Sequence, residues 1–234
     1  MSRQTPTAQR AFRPETMRFL EEIAANNDRT WFQANKHRYE ADVLDPALGF
    51  IERIGPRLEH ISAHFVAIPK RVGGSLMRIY RDTRFSPDKT PYKTNIGIQL
   101  RHERGKDIHA PGFYVHIEPS RCFVAAGIWR PESKALAAIR ARIVEKPEGW
   151  KRASASRRFR EHFEFGGQRL SRPPRGFAAD TPNIEDIKRK DFIASCAVDD
   201  AEVIAEDFAE RAAARFEAAQ PLMVFLCAAL ELQF

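Results

Sequence analysis

One stretch of the sequence carries cationic side chains at an unusual density. It spans residues 78–95, RIYRDTRFSPDKTPYKTN, and contains five cations and two aspartates. Arginine presents a planar fork of donors that suits phosphate or carboxylate, and lysine adds a mobile point charge. Because two aspartates cannot neutralise five cations, we predict that this stretch binds an anion. The alternative is a hairpin in which Asp82 and Asp88 pair with the arginines and no ligand binds.

Two prolines stiffen the same stretch. Ser86-Pro87-Asp88 favours a type I turn, with serine first and proline second. Thr90-Pro91 favours an extended step before the following tyrosine and lysine. Cations held by stiff turns lose less conformational entropy when they bind an anion, so the prolines agree with the anion-binding prediction.

A weaker candidate for acid–base chemistry follows on a predicted strand. His116 and Glu118 are two residues apart, so they share one face of that strand. Such a pair can transfer protons or ligate a metal, but a histidine that only bonds to a neighbouring carboxylate or tyrosine is the common alternative. The chain contains no phosphate-binding P-loop, dinucleotide-binding GxGxxG, serine-hydrolase GxSxG or zinc-binding HExxH motif. The sequence therefore predicts no metal site and makes no cofactor evident.

Four segments have the alternating pattern of β-strands. They are residues 75–81, 95–101, 113–117 and 122–129. Alternation places their apolar side chains on one face, which helices would cover, and their polar and aromatic side chains on the other. The predicted covered face includes Met77, Ile98, Val115 and Val124. The predicted open face includes Arg78, Tyr114, His116 and Trp129.

Helical periodicity on either side of these strands indicates the fold class. Residues 14–27 and 48–62 have apolar side chains at helical spacing, and Asp28 or Thr30 would cap a helix between them. Helical patterns return at 132–159 and after 199, and a last short strand fits 192–198. We predict an α+β protein with one antiparallel sheet of four or more strands, flanked by N-terminal and C-terminal helices. Residues 1–13 would be a flexible N-terminus and 14–234 a single domain.

Composition and cysteine content indicate the cellular compartment of the protein. The chain has 234 residues, of which 43% are hydrophobic and 29% charged, as in globular proteins. It has no apolar run long enough to span a bilayer and no apolar leader. Its three cysteines are far apart and favour free thiols. These observations predict a cytoplasmic protein without a membrane partner.

The net charge of +7 is concentrated in two basic blocks. Residues 70–106 contain ten Lys or Arg and three Asp or Glu, and residues 150–176 contain eight and two. Residues 199–217 are acidic, with seven Asp or Glu and two Arg. Localised basic blocks on an otherwise acidic chain favour an anionic partner or substrate. For the second block, the alternative is that the acidic C-terminal helix neutralises it.

Several segments resemble the signature blocks of a known family. They are NNDRTWF, RIYRDTRFSPDKTPYKTN, PGFYVHIEP, AAGIWRP and LSRPPRGF. Through them the chain resembles the domain-of-unknown-function-2461 family of bacteria and fungi, from about Thr16 to the last helix. The resemblance implies a single cytoplasmic domain and no particular activity. One position departs from the pattern, since the family usually has lysine where this sequence has Pro87.

Three classes of function fit these observations. The first is binding of a phosphate-containing anionic ligand, a small molecule or nucleic acid, in a basic cleft on the open sheet face. Its predicted ligand contacts are Arg78, Arg81, Arg84, Lys89, Tyr92, Lys93, Tyr114, His116 and Trp129. The second is an enzyme on an anionic substrate, with His116 and Glu118 as acid–base groups. The third is an interaction module that docks an acidic partner. No oligomeric state follows from the sequence.

Overall fold

An antiparallel sheet of six strands organises the chain, which the computed structural model describes over residues 11–105 and 110–234. The strands are β1 (Phe65–Val66), β2 (Ile96–His102), β3 (Gly112–Ile117), β4 (Phe123–Ile128), β5 (Glu164–Phe165) and β6 (Phe192–Ala197). Their order across the sheet is β1-β2-β3-β4-β6-β5, and neighbouring strands are antiparallel. With helices on both sides of it in sequence, this sheet confirms the predicted α+β class.

Helices precede and follow the central strands. The N-terminal ones are α1 (Pro14–Ala25), α2 (Arg29–Ala34), α3 (Lys36–Arg38) and α4 (Asp45–Ile61), with a π-helical turn at Tyr39–Leu44. The later ones are α5 (Ser133–Glu145), α6 (Pro147–Ala155), α7 (Arg157–Arg160), α8 (Ile184–Ile187), α9 (Asp200–Val203), α10 (Phe208–Ala218) and α11 (Gln220–Ala229). Asp28 caps α2, because its carboxylate accepts the Trp31 N–H at 2.9 Å. In the part of the chain that the structure describes, no helix is long and apolar enough to cross a membrane.

One face of the sheet is the floor of the hydrophobic core. Ile98 of β2, Val115 of β3 and Val124 of β4 are fully buried. α4 packs against β1 and β2, and α10 and α11 pack against β4. The ring of Phe216 in α10 lies 4.7 Å from the ring of Phe113 in β3. Alternation therefore predicted the covered face of β2, β3 and β4 correctly.

Four strands match the sequence-based expectation. β2, β3, β4 and β6 begin and end within one residue of the predicted segments. In the turn between β3 and β4, Ser120 has a φ of 64° and the Arg121 N–H donates to the Glu118 carbonyl at 2.8 Å. β1 and β5 were not predicted, because a segment of two residues has no alternation to detect.

The segment 75–81 is not a strand, and that prediction is wrong. Its first residues lie beside β2, where the Met77 N–H donates to the Gly97 carbonyl at 2.9 Å. Beyond Met77 the chain leaves the sheet, and the Arg81 N–H donates to the Pro91 carbonyl at 2.9 Å instead. Only an isolated bridge to β2 forms, between Leu76 and Ile98, because the residues that follow pair with residues 91–93 instead.

The predicted face of Met77 is also wrong. Leu76 lies opposite Ile98 in the register, so Leu76 takes the core side and Met77 the open side. Leu76 is accordingly buried, and the Met77 Sδ lies 3.0 Å from the position that a Gly97 Cβ would occupy. Arg78, predicted on the open sheet face, therefore lies where the chain departs from the sheet edge.

The chain enters the core before α1 begins. Phe12 is buried, with its ring 5.7 Å from Phe50 and 6.3 Å from Phe208. Of the predicted flexible N-terminus, residues 1–10 lie outside the described residues.

Val115→Asp tests the assignment of the covered face. A carboxylate at this fully buried position has no partner, and an uncompensated buried charge costs several kcal/mol. We expect the variant to be largely unfolded by circular dichroism and urea denaturation. Gln99→Asp, on the open face of β2, is the control and should lose about 1 kcal/mol or less. A Val115→Asp protein that melts like the wild type would show that the faces are exchanged.

Candidate functional site

The cationic stretch forms a loop whose two arms pair with each other. We call residues 78–95 the cationic loop. The Lys93 N–H donates to the Ile79 carbonyl at 2.7 Å, and Tyr80 and Tyr92 form an isolated bridge. The two arms hold a tip that carries Phe85, which is 94% exposed.

Asn27 fastens the returning arm of the cationic loop to the N-terminal helices. Its side-chain oxygen accepts the Tyr92 N–H and its side-chain amide donates to the Tyr92 carbonyl, both at 3.0 Å. Asn27 lies between the end of α1 and Asp28, the cap of α2, so the two helices fix its position. The NNDRTWF block therefore holds the loop in place.

Tyr92 itself belongs to the core. It is 2% exposed, and its ring stacks on Phe32 at 4.1 Å and 25°. Tyr39 lies against the same Phe32 ring at 5.3 Å, and Trp31 lies 5.7 Å from Phe19. The sequence predicts a ligand contact at Tyr92, whereas the structure gives its ring a packing position.

Both aspartates of the loop pair with arginines of the loop. Arg84 donates to the two oxygens of Asp82 at 2.9 and 2.7 Å, and Arg81 donates to Asp88 and Thr90. Hydrogen bonds from Arg84 lower the pKa of Asp82 to about 2. Bonds from the Thr90 N–H and from Arg81 lower the pKa of Asp88 to about 2 as well. The ion-pair alternative therefore holds for these two arginines.

The side chains of two cations of the loop, Arg78 and Lys93, have no hydrogen-bond or ion-pair partner among the described residues. Lys89, by contrast, donates to the Thr83 carbonyl at 2.9 Å. Lys93 is half-buried, and burial lowers its pKa, as does the nearby Arg78 cation. Burial and a like charge both disfavour this ammonium group, so a bound anion would stabilise it.

These two cations line a recess of about 560 Å³ at the base of the loop, which we call the cation recess. Its lining residues are Met77, Arg78, Tyr80, Arg81, Asp82, Arg84 and Lys93. Four cations and one carboxylate give it a net positive charge. Lys89 and Tyr92 instead line another recess, of about 620 Å³, together with Asn27 and Arg29. The loop therefore divides the predicted ligand contacts between its two sides.

A chain of hydrogen bonds runs along the open face of β3. The Tyr114 hydroxyl lies 3.2 Å from His116 Nδ1, and His116 Nε2 lies 3.3 Å from Glu118 Oε2. The side-chain amide of Asn95 lies 3.4 Å from Nδ1, and the tautomer with its proton on Nε2 satisfies all of these contacts. The Thr94 hydroxyl donates to Glu118 at 3.3 Å. His116 can accept the proton of Tyr114 while Glu118 stabilises the resulting imidazolium.

Burial favours the neutral forms of Tyr114 and His116. It lowers the pKa of His116, a shift that Glu118 opposes, and it raises the pKa of Tyr114 to about 12. The His116 ring stacks on Phe123 at 4.6 Å and 12°, which fixes its orientation. Within the described ranges, no group of three or more His, Cys, Asp or Glu side chains is placed to hold a metal ion.

Beside the hydrogen-bond chain of Tyr114, His116 and Glu118, the open sheet face forms a recess of about 280 Å³, which we call the sheet recess. Its lining includes Gln99, Tyr114, His116, Phe123, Trp129 and Ile193. Gly112 and Gly127 also line it and lie opposite each other in the register. No lysine or arginine among the described residues lines this recess, so the aromatic and cationic parts of the predicted cleft are two neighbouring recesses.

Met77 and Tyr114 separate the two recesses. A Cβ on Gly97 would lie 2.7 Å from the Tyr114 hydroxyl and 3.0 Å from the Met77 Sδ, so any other residue there would displace at least one of these groups. Met77 also lines the cation recess, and Tyr114 lines the sheet recess. The two recesses therefore share a boundary above Gly97.

The second basic block is mostly independent of the acidic C-terminal stretch. In the described chain one ion pair joins them, from Arg158 to Glu217 at 2.9 Å. Arg215, inside the acidic stretch, pairs with Glu202 of the same stretch. The neutralisation alternative thus accounts for one cation of the block.

Comparison with family models places this geometry in a family. Residues 15–225 match the model described as "Conserved hypothetical protein (DUF2461)". The chain belongs to the DUF2461 family. The matched residues include the cationic loop, the lining of both recesses and Asn27. The match confirms the resemblance seen in the sequence. Searches of curated proteins and of solved structures gave no significant match.

The sequence of this DUF2461 protein indicated some site residues and missed others. Tyr114, His116 and Trp129 do line one recess, as predicted. Phe123 was missed, although alternation from Gly127 places it on the open face. Asn27 was missed because its partner lies 65 residues away, and no local pattern reports such a contact.

Asn27→Ala tests whether this side chain holds the loop of the DUF2461 protein. The substitution leaves the two backbone groups of Tyr92 without partners, which should cost about 2 kcal/mol of unfolding free energy. Asn26→Ala is the matched control, since the Asn26 side chain donates to the exposed Glu22 carbonyl, and it should cost well under about 1 kcal/mol. Urea denaturation measures the unfolding free energy of both variants. Equal losses of stability would contradict the role of Asn27 in holding the loop.

Glu118→Gln tests the coupling of the β3 hydrogen-bond chain. The carboxylate raises the pKa of His116 against the effect of burial, so its loss should lower that pKa further below the ordinary 6.5. The unfolded chain then binds this proton more readily than the folded chain. Stability attributable to His116 is therefore lost as pH falls below about 6.5, down to its folded pKa. An NMR titration of the His116 ring proton measures the pKa.

Arg121→Ala is the control of opposite sign. The Arg121 cation lowers the pKa of His116, so its removal should raise that pKa. If both variants moved the pKa in the same direction, the charges around His116 would differ from those described.

Proposed function

We propose that this DUF2461 protein binds a phosphate-containing anionic ligand in the cation recess. The observation that carries the proposal is the pair Arg78 and Lys93, which has no carboxylate partner among the described residues. Two like charges at such a partly exposed site repel each other by roughly 0.5 to 1 kcal/mol. An anion between them would relieve this repulsion and offset the burial of Lys93.

The number of unpaired cations favours a compact ligand over a polymer. Two cations in one recess match the charge of a single phosphate group. Nucleic acid is the other form of the proposed ligand, and it would require contacts to several successive phosphates. The salt dependence of binding separates the two, because each phosphate contact in single-stranded nucleic acid adds about −0.7 to the slope of log K against log salt.

A second candidate function is an enzyme that acts on the same anion. The hydrogen-bonded chain of Tyr114, His116 and Glu118 favours it, since this chain lies across Met77 from the cation recess. His116 would act as the base and Glu118 would stabilise its protonated form. Acid–base chemistry would then occur on the part of the ligand that extends past Met77.

We also propose that the protein works in the cytoplasm. Cys122, Cys196 and Cys227 are free and buried, and burial raises the pKa of all three thiols. Free thiols without disulfides are typical of a reducing compartment.

Thermal unfolding in the presence of phosphate tests the binding proposal. Phosphate at ten times its Kd should stabilise the protein by about 1.4 kcal/mol, which raises the Tm of a chain of this size by roughly 3 to 6 °C. Arg78→Ala with Lys93→Ala should abolish the rise. Without ligand, this double variant should be at least as stable as the wild type, because it removes a repulsion.

Arg172→Ala with Arg175→Ala is the matched control. It removes the same net charge from exposed positions in the second basic block, so the phosphate effect should persist. Sodium chloride at equal ionic strength controls for screening. If the Arg78 and Lys93 double variant instead melts well below the wild type without ligand, these cations are structural and the proposal is wrong.

A further inference from the structure

The sheet recess has the properties of a binding site for a flat ring. Its walls are largely aromatic, and the parallel His116 and Phe123 rings, 4.6 Å apart, present an ordered stack. Trp129 is 41% exposed and borders the same space. Pockets for small molecules combine such apolar walls with a few polar groups. A recess of about 280 Å³ accommodates one ring system rather than a peptide or a helix.

Gln99 supplies a polar group that is not used by the protein. Its backbone N–H pairs with Ser75, but its side-chain amide has no hydrogen-bond partner among the described residues. An amide offers a donor and an acceptor side by side. Tyr114 and His116, by contrast, already bond to each other. The free amide therefore suits a ring with heteroatoms at its edge.

The position of the sheet recess relates this ring to the anion. Met77 lines the cation recess, and its Sδ and the Tyr114 hydroxyl both lie against the same point above Gly97. A ligand with its phosphate beside Lys93 would pass Met77 to reach Tyr114. The ring and the phosphate would thus be separated by a short linker such as a sugar.

We propose that the ligand is a phosphate ester of a heteroaromatic ring compound, of the size of a nucleoside monophosphate, with its ring in the sheet recess and its phosphate in the cation recess. This inference rests on the proposed function for its phosphate half. The ring half stands on the aromatic walls and on the Gln99 amide. Stacking and the amide contact add affinity to what the phosphate provides.

Isothermal titration calorimetry with matched ligands tests the inference on the full chain. The probes are the four common ribonucleoside 5′-monophosphates, ribose 5-phosphate, which lacks the ring, and the nucleosides, which lack the phosphate. At least one nucleotide should bind roughly tenfold or more tightly than ribose 5-phosphate, since stacking on aromatic side chains has that magnitude. If no nucleotide binds more tightly than ribose 5-phosphate, the inference is wrong while the proposed function stands.

Two variants locate the ring. Gln99→Leu and Trp129→Leu should each remove most of the nucleotide's advantage and leave the affinity for ribose 5-phosphate unchanged. A loss of affinity for both ligands to the same extent would contradict a separate ring site. Absence of any ribose 5-phosphate binding would overturn the proposed function, and this inference with it. Tight binding of a nucleoside that survives Arg78→Ala with Lys93→Ala would likewise separate the ring site from the cation recess and overturn the joint ligand.

Discussion

The site depends on one pairing of backbone groups with a side chain far away in sequence. Tyr92 buries its ring against Phe32, and burial would leave its N–H and C=O without partners. Asn27 satisfies both groups at once. Asn27 lies between the end of α1 and the start of α2, and Tyr92 lies between Lys89 and Lys93 of the loop. The contact between Asn27 and Tyr92 therefore fixes the loop relative to the two helices. Lys93 follows Tyr92 directly, so its half-buried position is a consequence of the same contact.

Some charged side chains of the cationic loop form ion pairs within it, and others have no partner among the described residues. Asp82 and Asp88 are close in sequence to the arginines with which they pair, and these pairs shape the tip. Surface ion pairs contribute little to stability, so their role is to orient the arms. Arg78 and Lys93 lie at the base, where the arms meet the sheet edge, and neither forms an ion pair with a described carboxylate. Sequence counting gave the excess of cations, but only the fold determined which ones have no partner.

The alternation of side chains along the strands predicts which residues lie on the open sheet face, except at Met77. Alternation along β3 places Tyr114, His116 and Glu118 on one face, so their hydrogen-bonded chain could be anticipated. Alternation failed at Met77, because the chain there bridges to β2 for a single position and then turns away. The failure has a structural consequence: Met77 is on the open side, between the two recesses, and the predicted single cleft is divided.

The sequence by itself determined the α+β class, four of the six strands, the covered face of the sheet, the family and the cationic character of the loop. These properties can be predicted from local patterns, because alternation, helical spacing and charge density are each visible within a short segment of sequence. The tertiary structure alone decided that Asn27 holds Tyr92, that Tyr92 is buried, and that Arg78 and Lys93 have no partner in the described chain. Each of these depends on contacts between segments distant in sequence. Such contacts are selected by packing and by the need to satisfy buried polar groups, which no local pattern encodes.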